Sequence, residues 1–260
     1  MIENRTQIRC SPHIPDFNSS FDEYKKYEDV SNSSKLYCAK TPDDMCCWGE
    51  TTNLKYSTSA TTTYSQVQQD LFVIQVLGDK KNGSYLELGS GFPIFCNNTY
   101  LLENEYDWRG VSIELDSEKT EIFNKVRKNP AWDIDASKVD YDNLLDQYDS
   151  NHIDYLQIDI DSVQASLDVL KSINFNKYSF SVITFEHDMY AYWNNTKILK
   201  DTSKEFFTSH GYVLVAENVC HSGNDPFEDW YIHPEYVSEK SWKRFHSINK
   251  KSIDLFFEDK

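Results

Sequence analysis

At 260 residues, with 39% hydrophobic and 15% aromatic side chains, the chain can bury one substantial core, which argues against a disordered chain. Acidic residues outnumber basic ones by 42 to 26, a formal net charge of −16, which disfavours nucleic acid or an anionic membrane surface as main partner and suits a neutral or cationic one, or serves solubility alone. No apolar run approaches the roughly 20 residues of a bilayer span, and the first ten residues lack a secretory leader's apolar stretch, so a cytoplasmic protein is expected. The six cysteines show no C-x-x-C pair, and reduced, structurally neutral thiols are expected, with redox or metal chemistry at Cys46-Cys47 as the alternative.

Residues 1–62, rich in Ser, Thr, Asn, Asp, Lys and Tyr, read as an irregular extension packing over a catalytic domain at 63–260. From Tyr64 to Leu77, Val67, Leu71 and Ile74 recur at helical spacing, and Gly78 stops the helix. Strand signals follow at 85–88, 110–114, 153–159, 180–186 and 212–217, with helices between them capped by Ser117, by Ser162 and, at the C-terminal end near residue 210, by Gly211. This alternation predicts a mostly parallel, Rossmann-like α/β sheet with helices on both faces. The tail 241–257 reads as one amphipathic helix docking on the sheet.

The run Tyr85-Leu86-Glu87-Leu88-Gly89-Ser90-Gly91 is a strand with an acidic end and a Gly-x-Gly turn, where small residues let backbone approach a ligand. A second acid-tipped strand ends at Glu114, placed to accept both hydroxyls of a ribose. A nicotinamide enzyme would use similar parts, but Ile94 stands where its fingerprint needs a third small residue. Glu87 beside the turn would repel a pyrophosphate, whereas S-adenosylmethionine brings an aminoacyl group and a sulfonium. Asp135, followed by Ala136, ends a further short strand within reach of an adenine amino group.

Two later strand ends, at Asp159 to Asp161 and Glu186-His187-Asp188, crowd carboxylates together. Either a hard divalent cation, magnesium first, sits between Asp159, Glu186 and Asp188, or Asp159 contacts the donor and the second group is a hydrogen-bonded turn. With a cation, His187 or a carboxylate such as Asp161 would take the acceptor's proton. The cluster Phe227 to Glu235, with Asp229, Trp230 and His233, is either a sugar-holding surface or buried core.

These segments, with Ser65-Gln66, Gln69-Asp70, Asn97-Asn98-Thr99-Tyr100-Leu101-Leu102-Glu103 and Trp108-Arg109-Gly110, resemble the FkbM-like branch of class I S-adenosylmethionine-dependent methyltransferases from about Tyr64 to Val237. The resemblance implies a seven-stranded sheet, a methyl donor held by Glu87 to Gly91, Asn98 and Glu114, and O-methylation of a sugar, nucleotide sugar or glycan. It also implies magnesium held by acids at Asp159 and Glu186, although His187 stands where an acid would be expected. Asn-, Lys- and Tyr-rich usage suits an AT-rich genome such as that of a large virus. A silent glycan-binding module on the same fold, or a nicotinamide-dependent sugar-modifying enzyme, are the competing readings.

Overall fold

The computed structural model describes strands at 37–38 and 47–50 and the chain from 54 to 257, apart from residues 57, 61, 162, 191–192 and 222–224. Strands β1 (Tyr37–Cys38), β2 (Cys47–Glu50) and β3 (Thr62–Thr63) form a small antiparallel sheet. The large sheet is built from β4 (Ser84–Leu88), β5 (Arg109–Glu114), β6 (Ala131–Asp133), β7 (His152–Ile158), β8 (Ser179–Glu186), β9 (Val213–Cys220), β10 (Pro226–Ile232) and β11 (Ser247–Ile248). Its order is β11-β9-β10-β8-β7-β4-β5-β6, and every pairing is parallel except those of β10, which runs antiparallel to both neighbours. The chain leaves β4 toward β5 and later returns to β4's other side as β7, so the order reverses at β4, where open α/β sheets bind ligands beyond their strand ends.

Helices α1 (Gln69–Val76), α2 (Tyr100–Tyr106), α3 (Ser117–Val126), α4 (Tyr141–Leu145), α5 (Val163–Ser172) and α6 (Trp193–Ser209) surround the sheet. Period-two alternation divides the strand residues between two apolar cores. Tyr85, Tyr155, Val182 and Trp230 pack with α1 and α2 on one face, while Leu86, Leu156, Ile183 and Tyr231 pack with α4 to α6 on the other. Among the described residues no helix is long and apolar enough to cross a membrane.

Helix α1 begins at Gln69 rather than near Tyr64. Gln68 adopts φ 61°, and the buried Asp70 carboxylate draws the preceding turn together by accepting from Thr63 Oγ1 (2.6 Å), Tyr64 N (2.7 Å) and Ser65 Oγ (2.7 Å). Asp116, not Ser117, caps α3, accepting from the amides of Glu118 and Lys119. Gly211 follows α6 with φ 87°, as its cap position requires, whereas Ser162 lies outside the described residues.

The sheet has eight strands, not seven, and the tail explains the difference. In place of one helix, residues 239–256 form the short α7 (Glu239–Trp242), β11 alongside β9, and the short α8 (Ser252–Phe256), with Asn249 at φ 53° turning the chain between them. Leu54 bridges Phe257, which ties the segment before β3 to this tail. The expectation of reduced thiols fails at Cys96, which is disulfide-bonded, because sequence spacing says nothing of which thiols meet in space. Cys220 is a free, buried thiol.

Candidate functional site

Parallel pairing of β4 with β5 sets Glu87 beside Ser112 and Leu88 beside Ile113, so Glu87, Ser112 and Glu114 share one face of the sheet. Past Leu88 the chain turns through Gly89 (φ 81°) and Gly91 (φ 57°). A Cβ on Gly89 would lie 1.6 Å from the Asp159 carbonyl oxygen, so no other residue fits where the ends of β4 and β7 abut. At Gly91 nothing lies within 4 Å of such a Cβ, and the turn faces open space. Bordering that space, the Glu114 carboxylate accepts from Gly91 N (2.7 Å) and Asp116 N (2.9 Å).

Glu87 lies beneath this turn, fully buried. Its carboxylate accepts from Ser112 Oγ (2.6 Å), Thr99 Oγ1 (3.0 Å) and Asn97 Nδ2 (3.2 Å). Burial pushes its pKa up to about 7, against the lowering pull of Arg127 and these donors. Two other buried polar atoms nearby, Ser90 Oγ and Asn98 Oδ1, find no hydrogen-bond partner among the described residues, a costly state unless a ligand satisfies them. Leu115, next to Glu114, is 69% exposed. Asp135 and Ala136 follow β6, which pairs with β5 so that Asp133 is opposite Glu114; Asp135 accepts from Ser137 N and Oγ (2.9 and 2.7 Å).

The second group of acids stands on the same face. Glu87 pairs with Gln157, Gln157 with Thr184, and Glu186 with Glu228, so alternation brings Asp159, Glu186 and Glu228 to one side at one end of the sheet. Burial and the adjacent Asp159 push Glu186 well above the carboxylate range, so it keeps its proton and donates to Asp159. Burial raises Asp159 to about 6, with the charges of Asp188, Asp161 and Glu114 adding to it. Glu228 is raised by burial to about 8, while Trp230 Nε1 and Gln69 Nε2 donate to it. Tyr190 donates to Asp188, is 44% exposed, and its ring lies 5.7 Å from that of Phe227. Among the described residues no group of three or more His, Cys, Asp or Glu side chains is arranged to hold a metal ion.

Glu87, Gly89, Ser90, Gly91, Asn98, Glu114, Asp135 and Ala136 therefore stand around the ends of β4 to β6, and Asp159, Asp161, Glu186 and Asp188 around those of β7 and β8. Four of the expected residues, His187, Asp229, Trp230 and His233, are elsewhere. His187, one position past Glu186, belongs to the opposite face, wholly buried with Nε2 3.5 Å from Asp229 Oδ1; Asp229 is equally buried and accepts from Asn218 N (2.7 Å). Trp230 is core, stacked on Phe72 at 4.6 Å between ring centroids. His233 follows the end of β10, and since that strand is antiparallel it stands at the far edge of the sheet, its amide donating to the carbonyl of Ser181 (2.9 Å).

Sequence reasoning missed Glu228, Tyr190, Leu115 and the donors that hold Glu87. Alternation within 226–232 would have placed Glu228 with Trp230, but only once the strand itself was recognised.

No protein-family model and no curated protein matches the chain. Among solved structures it is similar to the N-methyltransferase NodS from Bradyrhizobium japonicum WM9 in complex with S-adenosyl-l-homocysteine, at 8% identity over 65% of this chain and 89% of that one, TM-score 0.41. The Methanococcus jannaschii fibrillarin pre-rRNA processing protein is similar at 12% identity over 79% and 92%, TM-score 0.47. A point mutant of MtNAS matches at 11% identity over 62% of this chain and 56% of that one, TM-score 0.38, so the chain spans little more than half of that protein. At these scores the likenesses carry no argument by themselves. The strand order and the reversal at β4 carry the Rossmann-like α/β fold, which is the fold that the resemblance to class I methyltransferases implies, with β11 added at the edge.

Proposed function

We propose that the chain is an S-adenosylmethionine-dependent methyltransferase whose acceptor is a hydroxyl of a sugar, nucleotide sugar or glycan. The observation that carries the donor half is the open space bordered by Gly91 and the Glu114 carboxylate at the reversal point of the sheet. In this reading Glu114 accepts the ribose hydroxyls, the exposed Leu115 lies against the purine, and Ser90 and Asn98 meet the polar amino-acid end. Asp135 and Ala136 border the adenine.

The acceptor half rests on the acids beyond β7 and β8. Tyr190, backed by the buried Phe227, presents an exposed aromatic ring beside Asp188, the pairing of surfaces that holds a sugar ring, in the place first given to Trp230. Asp159, Glu186 and Asp188 offer only oxygen donors, the kind a hard cation takes, although among the described residues they are not arranged to hold one; magnesium bound there would supply Lewis acidity toward the acceptor oxygen. Asp161, exposed past the end of β7, takes the acceptor proton; His187 has no surface from which to reach a substrate. The chain's residues otherwise need only align acceptor and methyl group in line.

Calorimetric titration with S-adenosylhomocysteine tests the donor half: saturable binding supports it and a flat titration of folded protein ends it. Incubation with labelled methyl donor and a panel of sugars, with and without a chelator, tests the acceptor half. Transfer lost on chelation supports the cation, and binding without transfer to any sugar leaves a silent module.

A further inference from the structure

Arg127, the residue that closes α3, lies far in sequence from the glycine turn and has no charge role that its neighbours in sequence would suggest. Its side chain is fully buried. Nη1 donates to the Pro93 carbonyl (2.7 Å) and to Asn97 Oδ1 (2.9 Å), and Nη2 donates to Thr99 Oγ1 (3.0 Å) and pairs with Glu103 (3.0 Å). Asn97, held in this way, donates through Nδ2 to both Glu87 Oε1 and the Ser90 carbonyl (3.2 Å each). Its Oδ1 also accepts from Thr99 N (3.0 Å) and Tyr100 N (2.7 Å).

We infer that Arg127 is a positioning residue, whose planar fork sets residues 89–99 in the conformation that presents Ser90, Gly91 and Asn98 to the methyl donor. The assignment of that donor rests on the function proposed above; the ordering of the loop does not. The fork matters beyond its charge, because one guanidinium reaches a carbonyl, an amide oxygen, a hydroxyl and a carboxylate in four directions, whereas an ammonium on a shorter stem is a single point of charge. The same residue links the end of β5 to the glycine turn, since α3 starts at Ser117, three residues past Glu114, and is followed by the side chain that fixes the turn whose Gly91 amide Glu114 accepts.

The test compares Arg127→Lys, which keeps the charge, with Asn97→Ala, which cuts the relay but leaves the Arg127 to Glu103 pair. Amide hydrogen exchange is followed without ligand, and S-adenosylhomocysteine affinity by calorimetry. Both variants are expected to exchange faster at 89–99 while β7 and β8 keep wild-type protection, and to bind about tenfold more weakly. Restoration of wild-type exchange and affinity by lysine overturns the inference, because a buried charge beside Glu103 would then suffice. Should Arg127→Lys not fold, Asn97→Ala decides alone: a folded variant with unchanged exchange at 89–99 sinks the relay. Should the wild type bind no S-adenosylhomocysteine, the methyl-donor reading fails, and the exchange pattern still decides the role of Arg127.

Discussion

The two groups of acids at the strand ends satisfy their carboxylates in opposite ways. Around β4 and β5, Glu87 is met by a hydroxyl, a second hydroxyl, an amide and, behind them, the Arg127 guanidinium, while Glu114 accepts two backbone amides. Around β7 and β8, Glu186 is satisfied by Asp159 and Asp188, and the charges that act on Asp159 are those of other carboxylates. A site whose donors are supplied by the protein is preorganised for a ligand that needs acceptors at its rim. A group of acids that shares a proton relieves its own repulsion only while that proton stays.

The contact between the two regions can be broken outright. Gly89→Ala is expected to cost more than about 4 kcal/mol, or to prevent folding, because its Cβ would meet the Asp159 carbonyl at 1.6 Å; urea denaturation measures this. Next in size, Glu114→Ala should weaken S-adenosylhomocysteine binding by about 100-fold with little change in thermal midpoint, since a partly exposed carboxylate at a strand end carries binding more than folding. Titration calorimetry against a melting curve separates the two effects.

The acid-rich end has its own signature. Glu186, Asp159 and Glu228 have pKa values raised by burial above those of the unfolded chain, so the native state holds more protons than the unfolded state once pH exceeds about 4. Stability should therefore fall as pH rises from about 5 to about 8. Glu186→Gln, which keeps a donor for Asp159 but carries no proton to lose, should match wild type at the lower pH and exceed it by roughly 1 to 2 kcal/mol at the higher. Magnesium should stabilise the wild type at the higher pH and not at the lower. Equal denaturation curves at both pH values would erase the contrast between the two ends. The smallest effect belongs to Ser90→Ala and Asn98→Ala, each expected to weaken binding by about threefold to tenfold, as fits loss of one hydrogen bond to a ligand.

Much of the sheet was legible because parallel strands buried on both faces advertise themselves as short apolar runs, and the acid-tipped turn at Glu87 stood out beside them. The strand at 226–232 did not read as one. Its carboxylates and aromatic rings read as either a binding surface or buried core, and the second holds: Asp229 and Trp230 are buried on opposite faces of the sheet. His187 was misjudged for a related reason: adjacency in sequence to Glu186 puts it on the other side of the sheet, not beside it. Nothing in the sequence singles out Arg127, and only the fold brings Pro93, Asn97 and Glu103 around it. The Cys96 disulfide had no sequence signal at all.

The abutment of Gly89 on the Asp159 carbonyl leaves no layer of side chains between the ends of β4 and β7. Backbone faces backbone there, with no rotamer between them that could give way to a larger residue. The separation between the glycine turn and the acids beyond β7 is therefore set by a single missing methyl group.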